Sequence, residues 1–400
     1  MRLRWTVTLL AAAMIMVVLA FCQSRDNSFA VLSMDYGERI NWLGFSPDGR
    51  FLACCSEQRV AVWEWEKKRI VANIRPRGEV LQAVWINDKL LAAVALSSCF
   101  LVEDIGGSNK VSEISQIPAR ADMWYYSCVA FSAKKNNLAV GRSDGLIEVW
   151  DLDKHQRQHV LEEHKTFVRD LLYLPDGAYL ISVGAESVSP PVPLDKLPES
   201  RDGEIILWDT GKYQVCDRIA KKYEKYYRVA YLDDSKTLFV SAYKRIDQEG
   251  EIKVNGVLIG RETKIREWPC VAMLEVKPPK LTLKDGHIIL PHEPFKWVST
   301  ARGYGIALAP DGRHLLRSIG QEESGAEDGL LGEILGKYVS TGIVVLDTTD
   351  WTEIKRLRMP GYLVDQIAIH PNGKYVAVGL ESSVWRSRIK LFKLTDWIEK

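Results

Sequence analysis

Apolar and polar residues alternate in short runs along this chain, and seven of these runs are followed by a short turn and a second apolar run. The residues that end the first runs, called anchors here, are Phe45, Trp85, Phe131, Tyr173, Tyr231, Leu308 and Ile369. Turns such as Ser46-Pro47-Asp48-Gly49 and Leu174-Pro175-Asp176-Gly177 follow them. Pro and Gly favour the backbone dihedrals of a tight reversal, and alternation with a period of two is typical of β-strands. The pattern therefore predicts an all-β chain.

A third strand follows each pair and often ends in an aromatic residue. These ends are Trp63, Trp150, Trp208, Trp268 and Phe392, with Val102 and Leu346 as weaker equivalents. The first four anchors are 40, 46 and 42 residues apart, close to the roughly 40 to 45 residues of a four-stranded propeller blade. The repeat predicts a seven-bladed β-propeller of four-stranded antiparallel blades.

The two ends of the chain predict how the ring closes. The last blade has a third strand from Arg388 to Leu394, and only a few residues follow it. The apolar segment from Phe29 to Ser33 precedes the first blade and would supply the missing outer strand. Closure of this kind removes exposed sheet edges, which otherwise invite aggregation.

Two segments carry a resemblance to a known family. Residues 143–151 read Ser-Asp-Gly-Leu-Ile-Glu-Val-Trp-Asp, and residues 202–209 read Asp-Gly-Glu-Ile-Ile-Leu-Trp-Asp. Both resemble the third-strand signature of WD-repeat propellers, and the similarity extends over about residues 29–394 with divergent repeats. The resemblance implies a structural hydrogen-bond network in blade four formed by His164, Ser182, Asp202 and Trp208. Blade three has Val140 where the network serine would stand.

Composition and charge limit the classes of partner. The 400 residues are 46% apolar and 26% charged, without a Pro- or Ser-rich linker, as expected for one large globular unit. The formal net charge is +1, with acidic and basic residues interspersed. Surfaces that bind nucleic acid or anionic membranes usually have a basic excess, so no nucleic-acid partner is expected.

The N-terminus predicts export. Arg2 and Arg4 precede an uncharged apolar run from Trp5 to Cys22, the layout of a signal peptide. Three outcomes stay open: cleavage, retention as a membrane anchor through residues 5–22, or lipidation at Cys22. The predicted organisation is a signal peptide or anchor at 1–22, a short linker at 23–28 and the propeller at 29–400. The propeller would then be periplasmic or otherwise extracytoplasmic, with or without a membrane tether.

Three neighbouring blades are enlarged. From anchor to third-strand end takes 17 to 19 residues in blades one to three, but 35, 37 and 38 residues in blades four, five and six. The extra residues fall at 185–201, 251–260 and 321–341. Asn255-Gly256 predicts an added hairpin in the second segment, and residues 328–337 have a helical pattern. These insertions would share one face of the ring, where long loops commonly form binding surfaces.

Aromatic and basic residues just ahead of first strands could complete that surface, since such residues are enriched in interface hot spots. The candidate binding residues are Trp124, Tyr125, Phe167, Lys225, Tyr227, Arg302 and Tyr304. For each of them taken singly, packing between blades is the expected role. Taken with the resemblance, the surface predicts a non-catalytic scaffold that binds a protein partner through the enlarged rim of blades four to six.

Catalysis is the alternative function, because exported propellers also include lactonases and other hydrolases. His155 and His159 lie about a hairpin turn, and His287 and His292 have no acidic or Cys partner at ligand spacing, so no metal and no cofactor are predicted. His164, Ser182 and Asp202 have the residue types of a hydrolase triad, but the structural network is the preferred interpretation, since they stand at the positions that the WD-repeat resemblance assigns to it. Converging carboxylates or histidines in the central channel would favour an enzyme with a metal or substrate site there.

Overall fold

The computed structural model of the chain describes residues 28, 30–36, 38–116, 124–165, 167–185, 203–221, 224–254, 257–283, 288–289, 305–319, 341–359, 362–381 and 386–398. Within these residues nearly all regular structure is β-strand. A 3-10 turn at Trp65–Lys67 and a short helix α1 at Thr395–Ile398 are the described exceptions. The strands form seven antiparallel sheets arranged as the blades of a propeller, which confirms the predicted fold.

Blades one to three are regular four-stranded units with no large insertion. Blade one contains β2 (Ile40–Phe45), β3 (Phe51–Ser56), β4 (Val60–Glu64) and β5 (Arg69–Ile74). Blade two contains β6 (Val80–Asn87), β7 (Leu90–Ala95), β8 (Ser98–Glu103) and β9 (Lys110–Gln116). Blade three contains β10 (Tyr126–Ser132), β11 (Asn137–Arg142), β12 (Ile147–Asp151) and β13 (Gln156–Leu161).

Blades four to six follow the same order with longer connections. Blade four contains β14 (Phe167–Tyr173), β15 (Tyr179–Ala185), β16 (Gly203–Asp209) and β17 (Gln214–Lys221). Blade five contains β18 (Glu224–Leu232), β19 (Thr237–Val254), β20 (Val257–Lys277) and β21 (Lys280–Leu283), with β22 (Ile288–Ile289) also paired to β20. Blade six contains β23 (Ile306–Leu308), β24 (His314–Ile319), β25 (Thr341–Asp347) and β26 (Glu353–Met359).

Blade seven joins the two ends of the chain. It contains β27 (Leu363–Ile369), β28 (Tyr375–Glu381) and β29 (Arg386–Lys393), and its outer strand is β1 (Ala30–Tyr36). Ala30 lies opposite Leu391 and Leu32 opposite Ile389 in this antiparallel pair. Closure by an N-terminal strand is therefore confirmed, and β1 continues three residues beyond the predicted end at Ser33.

The cross-strand register is the same in all seven blades. Each anchor lies opposite an apolar residue near the start of the second strand, and that residue lies opposite the end of the third strand. The three-residue rows are Phe45–Leu52–Trp63, Trp85–Leu91–Val102, Phe131–Leu138–Trp150, Tyr173–Leu180–Trp208, Tyr231–Leu238–Leu274, Leu308–Leu315–Leu346 and Ile369–Val376–Phe392. All seven anchors are thus confirmed.

The third-strand end predicted for blade five is wrong. Leu238 lies opposite Leu274, whereas Trp268 pairs with Lys244, further along the hairpin. The two positions are six residues apart, an even number, so they point to the same face of a regular strand. Alternation in the sequence cannot distinguish them, and only the pairing of β19 with β20 does.

The hairpin of blade five is the insertion that the structure describes. β19 has 18 residues and β20 has 21, and their ladder continues to Val254 opposite Val257. The predicted hairpin about Asn255-Gly256 is confirmed by this ladder. The insertions of blades four and six, including the predicted helix at 328–337, lie outside the described residues apart from their ends at Ala185 and Thr341.

The hydrophobic core lies between blades. β3 and β4 are buried along their whole length, whereas the outer strand β5 is largely exposed. One buried cluster combines Phe51 and Val62 of blade one with Leu91 and Phe100 of blade two. Full burial of such side chains contributes about 1.5–3 kcal/mol each, so neighbouring blades are held together mainly by apolar contact.

Candidate functional site

The blade-four network brings three of its four expected residues together. His164 Nε2 lies 2.6 Å from Ser182 Oγ, and Trp208 Nε1 donates a hydrogen bond to the same oxygen over 2.8 Å. Asp202, the fourth expected residue, lies outside the described residues. The other ring nitrogen of the histidine, Nδ1, lies 3.2 Å from Glu204 Oε2. The sequence did not indicate Glu204, which stands two residues after Asp202 in the chain.

Burial determines the protonation of this network. It lowers the pKa of His164, so the ring is neutral at pH 7. Burial alone would raise the pKa of Glu204, but hydrogen bonds from His164 and from the Lys165 backbone N–H lower it. A neutral ring that donates from Nδ1 to the carboxylate must accept the Ser182 hydroxyl proton at Nε2. Ser182 has no exposed surface and already accepts the indole N–H, so a substrate has no access to it.

Of the seven second strands, that of blade four has a serine, Ser182, at the network position. The register places Cys54, Ala93, Val140, Val240, Arg317 and Val378 at the equivalent point of the other second strands. In blade three the indole Nε1 of Trp150 instead donates to Glu148 Oε2 over 3.1 Å. Glu148 also accepts from Arg142 Nη1 over 3.0 Å. Blades three and four thus satisfy their buried polar groups by different routes.

The central channel is lined by the first strand of every blade and has a volume of about 300 Å³. Among its described lining residues, Asp170 is the one carboxylate, Arg228 is the one cation, and there is no histidine. No group of three or more His, Cys, Asp or Glu side chains in the described part of the chain could hold a metal ion.

Asp170 ties four blades together inside this channel. Its Oδ1 accepts from Gln82 Nε2 of blade two over 2.8 Å, and its Oδ2 accepts from the Val229 N–H of blade five over 3.0 Å. Gln82 in turn accepts from the Val129 N–H of blade three over 2.9 Å. Burial raises the pKa of Asp170, and the Arg228 guanidinium at 3.7 Å opposes that shift. These contacts give the carboxylate a structural role.

The first strands share an irregularity at one end of the channel. Six of them skip one residue in their register with the second strand, at Asn41, Leu81, Ser127, Arg169, Tyr227 and Asp365. A β-bulge of this kind re-aims a side chain. Asn41 Nδ2 donates to the Val80 carbonyl of the next blade over 2.8 Å, and Ser127 Oγ donates to the Val168 carbonyl over 2.7 Å. These two bulge side chains thus bridge neighbouring blades.

The bulge of blade four centres a group of side chains that we call the mouth cluster, formed by Tyr125, Phe167, Arg169 and Tyr227. The Arg169 guanidinium carbon lies 5.2 Å from the centroid of the Phe167 ring and 5.8 Å from that of Tyr227. Tyr125 packs edge-on against Phe167, with centroids 5.9 Å apart. Blades three, four and five each contribute a ring. Three of the seven candidate binding residues meet here, and Arg169 is a fourth that alternation did not reveal.

The mouth cluster lies on the face from which the insertions emerge. Phe167 is paired with Ala185, the last described residue before the insertion of blade four. Lys225, another candidate, is paired with Tyr243 on β19, at the base of the blade-five hairpin. Arg302 and Tyr304, the remaining candidates of blade six, lie outside the described residues.

Trp124 has a packing role. The Arg142 guanidinium carbon stacks 3.4 Å from its ring centroid, and Tyr126 packs edge-on against it at 5.8 Å. Arg142 is itself buried and paired with Glu148 and Asp144. The indole packs against the core shared by blades two and three. This is the packing between blades that the sequence predicts for the candidate residues taken singly.

The N-terminal predictions concern residues that the structure does not describe. Cys22 and the apolar run at 5–22 belong to this segment. Among the residues that are described, no helix is long and apolar enough to cross a membrane.

Comparison with curated proteins finds relatives that match part of the chain. The chain is 38% identical over 78 residues to DDB1- and CUL4-associated factor 13 of Dictyostelium discoideum, covering 19% of this chain and 17% of that protein. It is 27% identical over 227 residues to apoptotic protease-activating factor 1 of Mus musculus (56% and 15%). It is 24% identical over 168 residues to nuclear distribution protein PAC1 of Arthroderma benhamiae (38% and 35%). The matches thus span between about a seventh and a third of the length of these relatives.

The fold and a family model agree. Hydrazine synthase of Kuenenia stuttgartiensis is similar in structure, with a TM-score of 0.61 over 90% of this chain and 97% of that one, at 14% identity. At that identity the likeness shows a shared fold. The family model described as "WD domain, G-beta repeat" matches residues 24–64, 124–151 and 155–209. Together with the seven blades of the described structure, these matches support a WD-repeat β-propeller family for the chain.

Proposed function

We propose that this propeller is a non-catalytic scaffold that binds a protein partner through the rim of blades four to six. The observation that carries the proposal is the mouth cluster, in which Arg169 stacks on the rings of Phe167 and Tyr227 and Tyr125 of the preceding blade packs on Phe167. Aromatic residues and arginine supply most of the binding energy in many protein interfaces. WD-repeat propellers generally bind proteins, so the fold supports the same class of function.

The blade-five hairpin extends the proposed surface. Its strands leave the blade next to Lys225 and Tyr227 and continue for ten further residue pairs beyond Lys244 opposite Trp268. A paired hairpin keeps its direction better than an irregular loop, because each residue is held by the ladder. It would contact a partner that is seated over the mouth cluster.

The channel lining supports a scaffold more than a metal-dependent hydrolase. Asp170, the carboxylate among its described residues, is engaged by Gln82, the Val229 N–H and Arg228. A metal ligand or general base needs an accessible lone pair. The Ser182–His164–Glu204 arrangement is closed to solvent by burial.

We further propose that the propeller works outside the cytoplasm, because residues 1–22 have the layout of an export signal. A fusion of residues 1–28 to a reporter enzyme that is active only after export tests this. Activity above that of a fusion with Arg2, Arg4 and the apolar run removed is expected. Equal activity of the two fusions would reject export.

The binding proposal is tested by crosslinking in cells and capture with tagged full-length protein. In a trimmed variant, residues 249–263 are replaced by Asn-Gly, which preserves the ladder up to Gln248 opposite Lys264. The control variant is Arg50→Gln, which changes an exposed arginine after the turn at the opposite end of the first strand of blade one. A partner captured by wild type and by the control, but lost on trimming, supports the proposal. A partner that is retained after trimming contradicts it.

A further inference from the structure

We propose that the mouth cluster binds a carboxylate: an Asp or Glu side chain in an extended segment of the partner, held by the Arg169 guanidinium between Phe167 and Tyr227. This inference rests on the proposed function, which states that a protein binds this face, and it names the chemistry of the contact.

Arg169 differs from other arginines of this chain that stack on aromatic rings. Arg50 lies 4.9 Å over the ring of Phe51 and is paired with Glu64, and Arg142 lies over Trp124 and is paired with Glu148. Arg169 also stacks on aromatic rings, but no described residue forms an ion pair or hydrogen bond with its guanidinium. Its Nε is buried and has no hydrogen-bond partner. Buried donors in folded proteins usually have an acceptor. Arg169 as a whole is partly exposed, so its guanidinium keeps donor capacity that a ligand can use.

The neighbouring carboxylate does not serve this arginine. Asp170 follows Arg169 in sequence, but its oxygens accept from Gln82, the Leu171 N–H and the Val229 N–H. Its nearest cation is Arg228 of blade five. The bulge separates the two residues, since Asp170 resumes the regular register opposite Val183 while Arg169 is unpaired in the ladder. The positive charge of Arg169 is therefore available to a ligand.

The surroundings favour a carboxylate over a phosphate or a nucleic acid. The rings beside Arg169 are neutral, and the formal net charge of the chain is only +1. A planar guanidinium can donate two parallel hydrogen bonds to one carboxylate, and the two rings restrict its plane. A phosphate carries close to two negative charges at pH 7, and sites for it usually gather several cations. One unpaired cation matches one negative charge.

The cluster can accept an extended segment because of its shape. Its three rings come from successive blades: Tyr125 packs on Phe167, and the Phe167 and Tyr227 rings lie 5.2 and 5.8 Å from the Arg169 guanidinium carbon. Apolar groups of a peptide on either side of the acidic residue would pack on these rings. Water is then excluded from the ion pair, which strengthens it.

The test uses a displayed library of random twelve-residue peptides, selected on immobilised full-length protein. We expect enriched peptides to share an Asp or Glu. Affinities of one such peptide and of its Glu→Gln or Asp→Asn form are then measured on wild type, Arg169→Gln, Arg169→Lys and Arg50→Gln. Loss of either the acidic group or Arg169 should weaken binding at least tenfold, Arg169→Lys should recover part of it, and Arg50→Gln should change nothing.

The inference is decided by combining two changes, Arg169→Gln in the protein and neutralisation of the acidic group in the peptide. On Arg169→Gln, neutralising the peptide should have less than a twofold effect, because the pair is already broken. A full tenfold effect there would mean that the acidic group contacts another residue and would overturn the inference. A phosphoserine in place of the acidic residue that binds more than tenfold tighter would also overturn it, in favour of a phosphate site.

Two outcomes separate this inference from the proposed function. If selected peptides bind but ignore Arg169→Gln, the carboxylate site is wrong, while protein binding at this face stands on the trimming experiment. If no peptide is enriched, a linear acidic segment is not the ligand, and the capture of a partner alone decides the function. Thermal melting of Arg169→Gln should be only slightly below wild type, because the described structure gives this side chain two ring contacts but no hydrogen bond to lose.

Discussion

Ser182 Oγ accepts a hydrogen bond from Trp208 Nε1 over 2.8 Å and lies 2.6 Å from His164 Nε2, so one hydroxyl joins the second strand, the third strand and the segment before the first strand of blade four. Leu180, two residues before Ser182, lies opposite Trp208 in the ladder. An equivalent row of three residues occurs in every blade. The position that Ser182 occupies in blade four is occupied by Val140 in blade three and by Val240 in blade five. The hydrogen-bonded tryptophan is therefore an addition to a row that already stabilises each blade by apolar packing.

Replacement of Ser182 by alanine should reduce the free energy of unfolding by about 1–3 kcal/mol, because Trp208 Nε1 and His164 Nε2 both lose a buried partner. Ser132→Ala is the matched control, since Ser132 is equally buried but its hydroxyl has no hydrogen-bond partner. Urea unfolding of the two variants measures the difference. Equal losses would mean that the network adds nothing to stability.

The pH dependence of stability should reveal His164. Burial lowers its pKa below the ordinary value of about 6.5, so the unfolded chain binds its proton more readily than the folded one. The contribution of this residue is complete above about pH 6.5 and decreases as the pH falls below that value. Unfolding free energies at pH 8 and pH 5.5 should differ less for His164→Asn than for wild type. An unchanged difference would contradict a buried neutral ring.

Two glycines at equivalent turns separate backbone strain from steric conflict. Gly49 and Gly373 have φ of +75° and +71°. A Cβ at Gly49 would lie 2.2 Å from His370 Nε2, whereas at Gly373 it would meet Pro310 Cδ at an ordinary 3.6 Å. Gly373→Ala should cost about 1–2 kcal/mol from the left-handed backbone alone. Gly49→Ala should cost at least about 1 kcal/mol more, since overpacking adds to it.

The reason for that excess is the junction of the first and last blades. His370 Nε2 lies 3.0 Å from the Gly49 carbonyl oxygen, and its ring packs against Phe45 and Trp65. The ring therefore has little room to move away from a new methyl group. Denaturant unfolding of both alanine variants gives the two costs, and equal values would show that His370 adjusts freely.

The closing strand can be tested with adjacent residues. Leu32 is 2% exposed and packs in the cluster of blades seven and one, whereas Val31 beside it is 39% exposed. Leu32→Asp should cost roughly 3–5 kcal/mol because it buries an unpaired carboxylate at the joint of the ring. Val31→Asp should change stability by less than about 0.5 kcal/mol, as surface substitutions usually do. Thermal unfolding and light scattering measure both, and similar behaviour of the two would contradict closure by β1.

Comparison of blades four and five shows how far prediction from sequence could reach. In blade four, Trp208 was expected at the end of the third strand and is found there, because Asp202-Gly203 and the following alternation limit the strand on both sides. In blade five, the strand is 21 residues long, and Trp268 and Leu274 lie on the same face of it. Nothing local distinguishes two positions an even number apart, so the expected end was six residues too early.

The candidate site likewise contains residues that the sequence revealed and residues that it did not. Phe167 and Tyr227 were identified because aromatics ahead of a first strand are visible in the sequence. Arg169 was not, since its position depends on a register shift between β14 and β15, and such a shift is decided by pairing with residues 13 to 16 positions away. Glu204 was missed for a related reason, because its contact with His164 joins residues 40 positions apart.

The sequence alone determined the elements and their number. Turns rich in Pro, Asp and Gly and the period of two are local features, and they led to seven blades, to the seven anchors and to the closing strand. The tertiary structure decided what depends on distant residues: the register of the blade-five hairpin, the partners of Asp170 from other blades and the meeting of three rings around Arg169. The physical reason is that hydrogen-bond register and side-chain contact are set by the packing of blade against blade, whereas turns and alternation are set by each segment itself.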